Sequence, residues 1–162
     1  MISENEQKVY GVLDQLGISY TRYEHPPVYT VEEAKEYWQD IEGAHSKNLF
    51  LRNNKGNQHY LVVLEQSKTA DIKDLSGKLG AGKLSFASER RLDEHLGLET
   101  GAVSPFGLIN DQKRAVIVAI DRSLQKKGSV NFHPNANTAT INISYSDFEK
   151  FLKHCGNEIT YI

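Results

Sequence analysis

The stretch "RAVIVAID", Arg114 to Asp121, carries six consecutive apolar residues, Ala115 to Ile120, the longest clearly apolar run in the chain. Side chains of a strand alternate between its two faces, so a run apolar at every position calls for cover on both. It predicts the central strand of a sheet, and it is far too short to cross a bilayer.

Amphipathic helices are expected around that strand. Val9, Val12, Leu13 and Leu16 follow helical spacing, with Ser3 and Glu6 set as a capping box and Gly17 as a stop. Thr30 opens "TVEEAKEYWQD", whose acidic first turn suits the helix dipole. A helix is predicted over 69–79, and Ser88 caps another that ends at Gly97. Phe148, Phe151, Leu152 and Cys155 trace one face of a last helix. Further strands are expected at "ISYTRYEH", on both sides of the polar "NNKGNQ" turn, at "LSFAS", in the pair "SVNFHPN" and "TATINIS", and at "EITYI". Strands and helices mix without strict alternation, which predicts an α+β or mixed-sheet domain. No repeat or linker divides residues 1–162, so a single domain is expected.

Composition narrows the function. Nineteen basic against 21 acidic residues give a formal charge of -2, so any contact with nucleic acid must be local. The single cysteine, Cys155, excludes an internal disulfide and suits a reducing compartment. The opening "MISENEQK" lacks the basic and apolar pattern of a signal peptide, which makes a cytoplasmic location the expectation.

One motif tempts and fails. "SGKLGAGKLS", Ser76 to Ser85, contains G-x-x-x-x-G-K, but Leu84 stands where a P-loop needs the Ser or Thr that holds magnesium. The preceding Ile72, Leu75 and Leu79 have helical spacing, whereas a P-loop follows a strand. Nor do the six histidines form an H-x-x-x-H pair, Cys155 has no partner at ligand spacing, and no G-x-S-x-G elbow occurs. Neither a metal nor a cofactor is expected. Three segments are left as candidates. "GAVSP", Gly101 to Pro105, is either an ordinary turn or a loop that aims free amides at an oxyanion. His133, ahead of Pro134, is either a solvated turn residue or a functional histidine with an unseen partner. Lys47 and Asn48 begin an apolar strand, where a lone lysine points to water unless a cleft receives it.

In this order the segments "YEHPPVYTVEEA", "HSKNLFLRNNKGNQHYLVVL", "LGAGKLSFASERRLDEHLGLETGAVSPFGLIND" and "VNFHPNANTATINIS" cover most of the chain. Together they resemble the YbaK-like family of prolyl-tRNA synthetase editing domains, and within it the freestanding deacylases of alanyl-tRNA(Pro). The resemblance implies a compact α+β domain with a mixed, largely antiparallel, barrel-like sheet. It implies hydrolysis, without cofactor, of the ester of a mischarged aminoacyl-tRNA. The family's G-x-x-x-P loop is matched by Gly101, Ala102, Val103, Ser104 and Pro105, its lysine by Lys47, and its late histidine by His133. Those residues form the implied catalytic set, with His133 orienting groups and water attacking. Asn48 is then expected to orient the aminoacyl group, and Tyr20, Val28 and Val31 to wall a small amino-acid pocket. Lys78 and Lys83 either touch tRNA phosphates beside the cleft or hold a tight surface turn. The implied partner is mischarged tRNA(Pro), with prolyl-tRNA synthetase or an elongation factor as candidate protein partners and no DNA or membrane. Two alternatives stay open: clearance of cysteinyl-tRNA(Pro), and a non-catalytic tRNA- or protein-binding module of the same fold.

Overall fold

The computed structural model describes residues 2–39 and 41–162, and of Val31 the backbone alone. The chain runs α1 (Glu4–Gln15), β1 (Thr21–Glu24), α2 (Val31–Trp38), β2 (Ala44–Asn53), β3 (His59–Glu65), α3 (Ile72–Leu79), β4 (Leu84–Phe86) and α4 (Glu89–Leu96). A 3₁₀ turn at Pro105–Asn110 follows, then β5 (Val116–Ile120), a second 3₁₀ turn at Arg122–Lys126, β6 (Ser129–Phe132), β7 (Ala139–Ser144), α5 (Tyr145–Cys155) and β8 (Ile159–Tyr161).

The sheet order is β1-β7-β6-β2-β3-β5-β8, with β4 paired to β2 off that path. The β1–β7, β6–β7, β2–β3 and β2–β4 pairings are antiparallel, while β2–β6, β3–β5 and β5–β8 are parallel. The sheet is therefore mixed, as expected. Its path runs from β1 to β8 and forks at β2.

The run 115–120 becomes the central strand β5, flanked by β3 and β8. Val116, Val118 and Ile120 face the main core with Leu61 and Val63 of β3. Ala119 enters a second, smaller core with Tyr60, Val62 and Leu64, under α3 residues Leu75 and Leu79. Both faces are buried, which is why the run is apolar at every position.

Side chains cap the helices as the sequence predicts, with two differences. The Ser3 hydroxyl accepts from the Glu6 amide, but Glu6 does not reach back to complete the box. Its buried carboxylate accepts instead from the Tyr10 hydroxyl and from Arg22 Nε at 2.6 Å, which ties α1 to β1. The helix expected from residue 69 starts at Ile72, because the Asp71 side chain caps it by accepting from the Asp74 amide. Gly77 and Lys78 lie inside α3 and Gly80 is its left-handed cap, so the P-loop look-alike is a helix end leading into a strand.

Candidate functional site

Strand β2 runs for ten residues and is shared between two strands on the same edge. β6 pairs with Ala44 and His45, β4 with Leu51 to Asn53. The carbonyl of His45 accepts from Gln66 on the β3 side, whereas that of Phe50 accepts from Ala87 on the opposite side. Main-chain groups alternate in direction along a strand. Ser46 and Asn48 therefore aim theirs at the gap in the fork, where no strand meets them.

A cavity of about 330 Å³ opens at that gap. Five consecutive residues of β2, Ser46 to Phe50, line it, which a strand allows where its edge as well as its face borders the space. The 28–38 segment supplies Val28, Tyr29, Ala34 and Trp38, the start of α4 supplies Leu92, and Phe86 and Ala87 come from the end of β4. Thr100, Gly101 and Val103 border it from the loop before the 3₁₀ turn, and His133 from the loop after β6. The cavity thus gathers Lys47, Asn48, Gly101, Val103, His133 and Val28, which are far apart in sequence.

Lys47 is half-buried there, and its side chain makes no hydrogen bond or ion pair among the described residues. The Asn48 amide nitrogen lies 3.3 Å from Ser46 Oγ, while its Oδ1 is buried without a donor. The cleft therefore offers a cation without a partner among the described residues, and beside it a buried amide oxygen without a donor.

The Gly101–Pro105 loop is fixed from behind. Phe106 is fully buried and packs edge-on against Phe132 and Phe151 at ring distances of 5.9 and 5.0 Å. Gly107 lets the 3₁₀ turn approach α4 closely, since a Cβ there would sit 2.7 Å from Leu98 Cδ1 and 3.0 Å from Leu96 Cβ. Within the loop the Ala102 amide donates to Glu99, and the buried Ser104 hydroxyl accepts from the Phe106 amide. The amides of Gly101, Val103 and Ser104 have no acceptor among the described residues, and two of those residues border the cavity. Gly101 has φ +94°, a conformation that glycine alone adopts readily, and a Cβ on it would press the Tyr29 ring at 3.2 Å.

His133 donates Nδ1–H to the Ala139 carbonyl at 2.9 Å, because a carbonyl can only accept. Its Nε2 is therefore an acceptor. Burial, helped by nearby His25, holds His133 below the ordinary histidine pKa, against the opposing pull of the Ala139 carbonyl. His25 itself bridges the Pro26 carbonyl and the Thr140 hydroxyl, both at 2.9 Å, and stands edge-on to His133 with ring centres 6.0 Å apart. It fastens the Val28 segment to β7. Asn137 Nδ2 adds a bond to the Val28 carbonyl at 3.4 Å.

Other expected positions lie elsewhere. Tyr20 is not on the cavity wall: it stacks on Tyr10 of α1 at 4.9 Å and packs against the main core. Trp38 and Phe50 stand on the wall in its place. The Val31 side chain lies outside the described residues. Lys78 pairs with Asp74 at 3.1 Å, away from the cavity, and Lys83 is exposed just before β4. Ala102, Ser104 and Pro105 are buried behind the cavity lining. Cys155 packs against the core, where burial pushes its thiol up to about 12. Phe86, Trp38, Thr100 and His25 carried no signal of their own in the sequence, since each belongs to the site only through long-range pairing.

A forked mixed sheet thus brings a glycine loop, a lysine without a partner among the described residues and a histidine with an accepting Nε2 around one cleft. The sequence model of the aminoacyl-tRNA editing domain matches residues 25–151. The chain belongs to that family. It is 49% identical over 159 residues to the prolyl-tRNA editing protein ProX of Acetoanaerobium sticklandii, covering 97% of this chain and 96% of that one. It is 35% identical to the prolyl-tRNA synthetase associated domain-containing protein 1 of Xenopus laevis, over 98% of this chain and 96% of the relative. A solved structure of a candidate trans-editing enzyme for prolyl-tRNA synthetase superposes with a TM-score of 0.74 at 20% identity, covering 99% of this chain and 98% of that one. That likeness establishes the shared fold.

Proposed function

We propose that this protein is a trans-editing deacylase that hydrolyses the ester of mischarged alanyl-tRNA(Pro). The observation that carries this reading is the meeting of Lys47 with the open amides of Gly101 and Val103 in one cleft. Lys47 anchors a phosphate or ribose oxygen of the 3′-terminal nucleotide. Asn48, beside Lys47 on β2, helps to orient the aminoacyl group. Water adds to the ester carbonyl carbon, and negative charge builds on its oxygen as the tetrahedral species forms. The Gly101 and Val103 amides take that charge, each such donor lowering a barrier by about 3–4 kcal/mol. His133 Nε2 accepts from the attacking water or from the neighbouring ribose hydroxyl and so orients them. Collapse breaks the bond to the ribose oxygen, which leaves with a proton, and frees the amino acid and the tRNA.

Val28, Ala34, Phe50 and Leu92 make the apolar part of the wall, where a small side chain fits and a larger one clashes. Specificity for alanine, for tRNA(Pro), and delivery by prolyl-tRNA synthetase or an elongation factor in the cytoplasm belong to the same proposal. Among the described residues no helix is long and apolar enough to cross a membrane.

The test is release of labelled amino acid from alanyl-, cysteinyl- and prolyl-tRNA(Pro) by the wild type and Lys47→Ala. Alanine alone should be released, and the variant should lose about 10- to 100-fold in kcat/KM, the worth of one hydrogen bond to a charge. Release of cysteine instead moves the specificity to the sister substrate. Binding of tRNA without release of any amino acid defeats the catalytic reading.

A further inference from the structure

Among the described residues three large hydrophobic side chains are exposed: Ile2, Tyr29 and Phe86. Two of the three, Tyr29 at 70% and Phe86 at 61% exposure, border the same cleft. Neither position is forced by packing. Phe86 ends the edge strand β4, whose Leu84 already supplies the buried anchor, and Phe86 could be polar without loss to either core. Tyr29 touches Gly101 with the Cδ1–Cε1 edge of its ring, and most of its surface is open. Exposed aromatic faces at the mouth of a cleft are poor surfaces for water and good ones for unpaired nucleobases, each stacked base being worth about 1–3 kcal/mol.

Charge points to the same ligand. Among the described residues neither Lys47 inside the cleft nor the exposed Lys83 has a side-chain partner. Lys83 lies three residues before Phe86, about 10 Å along the strand. A free cation within, two aromatic faces at the rim and a second cation beyond them match an unpaired RNA end, whose bases and phosphates alternate.

We propose that Phe86 and Tyr29 form a stacking platform for the unpaired 3′-terminal bases of the substrate tRNA, with Lys83 meeting a backbone phosphate beside it. The inference rests on the deacylase reading above, and it assigns how the end of the RNA is gripped. Stacking is tolerant of base identity, so this grip supplies affinity and leaves the choice of amino acid to the inner wall.

The probe is a tRNA(Pro) acceptor minihelix carrying 2-aminopurine as its 3′-terminal base and alanine joined through a non-hydrolysable amide. Binding to the wild type should quench the 2-aminopurine fluorescence. Phe86→Ala and Tyr29→Ala should each weaken binding about tenfold and reduce the quench, while Phe86→Trp retains both. Phe86→Leu keeps apolar area without a π-face and should behave as Phe86→Ala. Lys83→Ala should weaken binding and flatten its salt dependence without changing the quench of the bound state. Unchanged affinity and quench in Phe86→Ala, or full retention by Phe86→Leu, overturns the platform. A wild type that hydrolyses alanyl-tRNA yet shows no quench overturns the platform alone. One that neither binds the probe nor hydrolyses alanyl-tRNA overturns the deacylase reading together with it.

Discussion

His133 holds its Nδ1 2.9 Å from the carbonyl oxygen of Ala139, across the loop that separates β6 from β7. This bond fixes the tautomer and turns Nε2 into an acceptor. Protonation at Nε2 would remove that acceptor. Since burial holds the pKa below 6.5, the neutral form persists from neutral pH to below 6.5, and deacylation should fall only at still lower pH. His133→Ala should lower kcat/KM about tenfold, the worth of one oriented hydrogen bond, and should abolish that acidic limb. A pH profile of single-turnover hydrolysis for both proteins checks this. A loss of many orders of magnitude would make His133 the general base instead.

Gly101 is the residue through which the loop reaches its substrate. A methyl group there would be strained at φ +94° and would press Tyr29, and relief of either moves the 101 and 103 amides. Gly101→Ala should lower kcat about 10²- to 10³-fold, the cost of losing one oxyanion donor, while tRNA binding weakens by no more than the roughly tenfold expected of losing Tyr29. Rapid-quench hydrolysis beside filter binding separates the two. Parallel loss of binding and rate would place the loop in ground-state recognition.

Ser104 stands in the same loop but does different work. Its hydroxyl is buried and caps the 3₁₀ turn by accepting from the Phe106 amide. Ser104→Ala should cost about 1 kcal/mol of stability, as other cap removals do, and leave kcat within about threefold. Urea denaturation and the deacylation assay on one preparation measure both. A collapse of kcat with unchanged stability would give the hydroxyl a chemical role.

Much of this molecule was legible because its signals are local. Ser3, Thr30 and Ser88 cap helices as their positions predict, and the 115–120 run lies between two parallel neighbours with both faces covered. The fork in the sheet was not legible. That Ala44 and His45 pair with β6 while Leu51 to Asn53 pair with β4 depends on contacts across 30 to 90 residues, and nothing local records it. The cavity exists because of that fork. Lys47, Gly101 and His133 could therefore be named from family resemblance, whereas Phe86 and Trp38 could not. Tyr20 misled for a related reason: it is near Val28 in sequence, but β1 intervenes and its ring turns back onto Tyr10. The Ser104 hydroxyl, expected in the catalytic loop, faces the helix it caps.

Behind the cleft wall His59 is expected to contribute to the acid sensitivity of the fold. Phe50, which lines the cavity, stacks on His59 at 5.5 Å, and His59 lies 4.0 Å from the ring of His95. His59 is 4% exposed, and its Nε2 accepts from Arg91 Nη1 at 3.0 Å. Burial first, then the charges of His95, Arg91 and Arg52, lower its pKa to about 4. The unfolded chain takes up this proton near pH 6.5 and the folded one only near 4, so stability should fall as pH falls between those values. The loss attributable to His59 is at most about 3 kcal/mol, and none of it appears above pH 7. His59→Gln keeps an acceptor for Arg91 without the titration, so its urea midpoint should decline less steeply from pH 7 to pH 4.5. If wild type and variant decline in parallel, the loss in this window lies in other groups, such as His45 and His133, whose burial also lowers their pKa; the Asp121 carboxylate acts at lower pH. Burial would raise the Asp121 carboxyl, but Lys68, the Glu65 amide and Ser123 outweigh it and hold it low. Its contribution is therefore lost only as pH falls below the ordinary carboxylate range. The two groups act in separate pH windows, so midpoints measured at pH 7, 5.5, 4.5 and 3 assign each to its step.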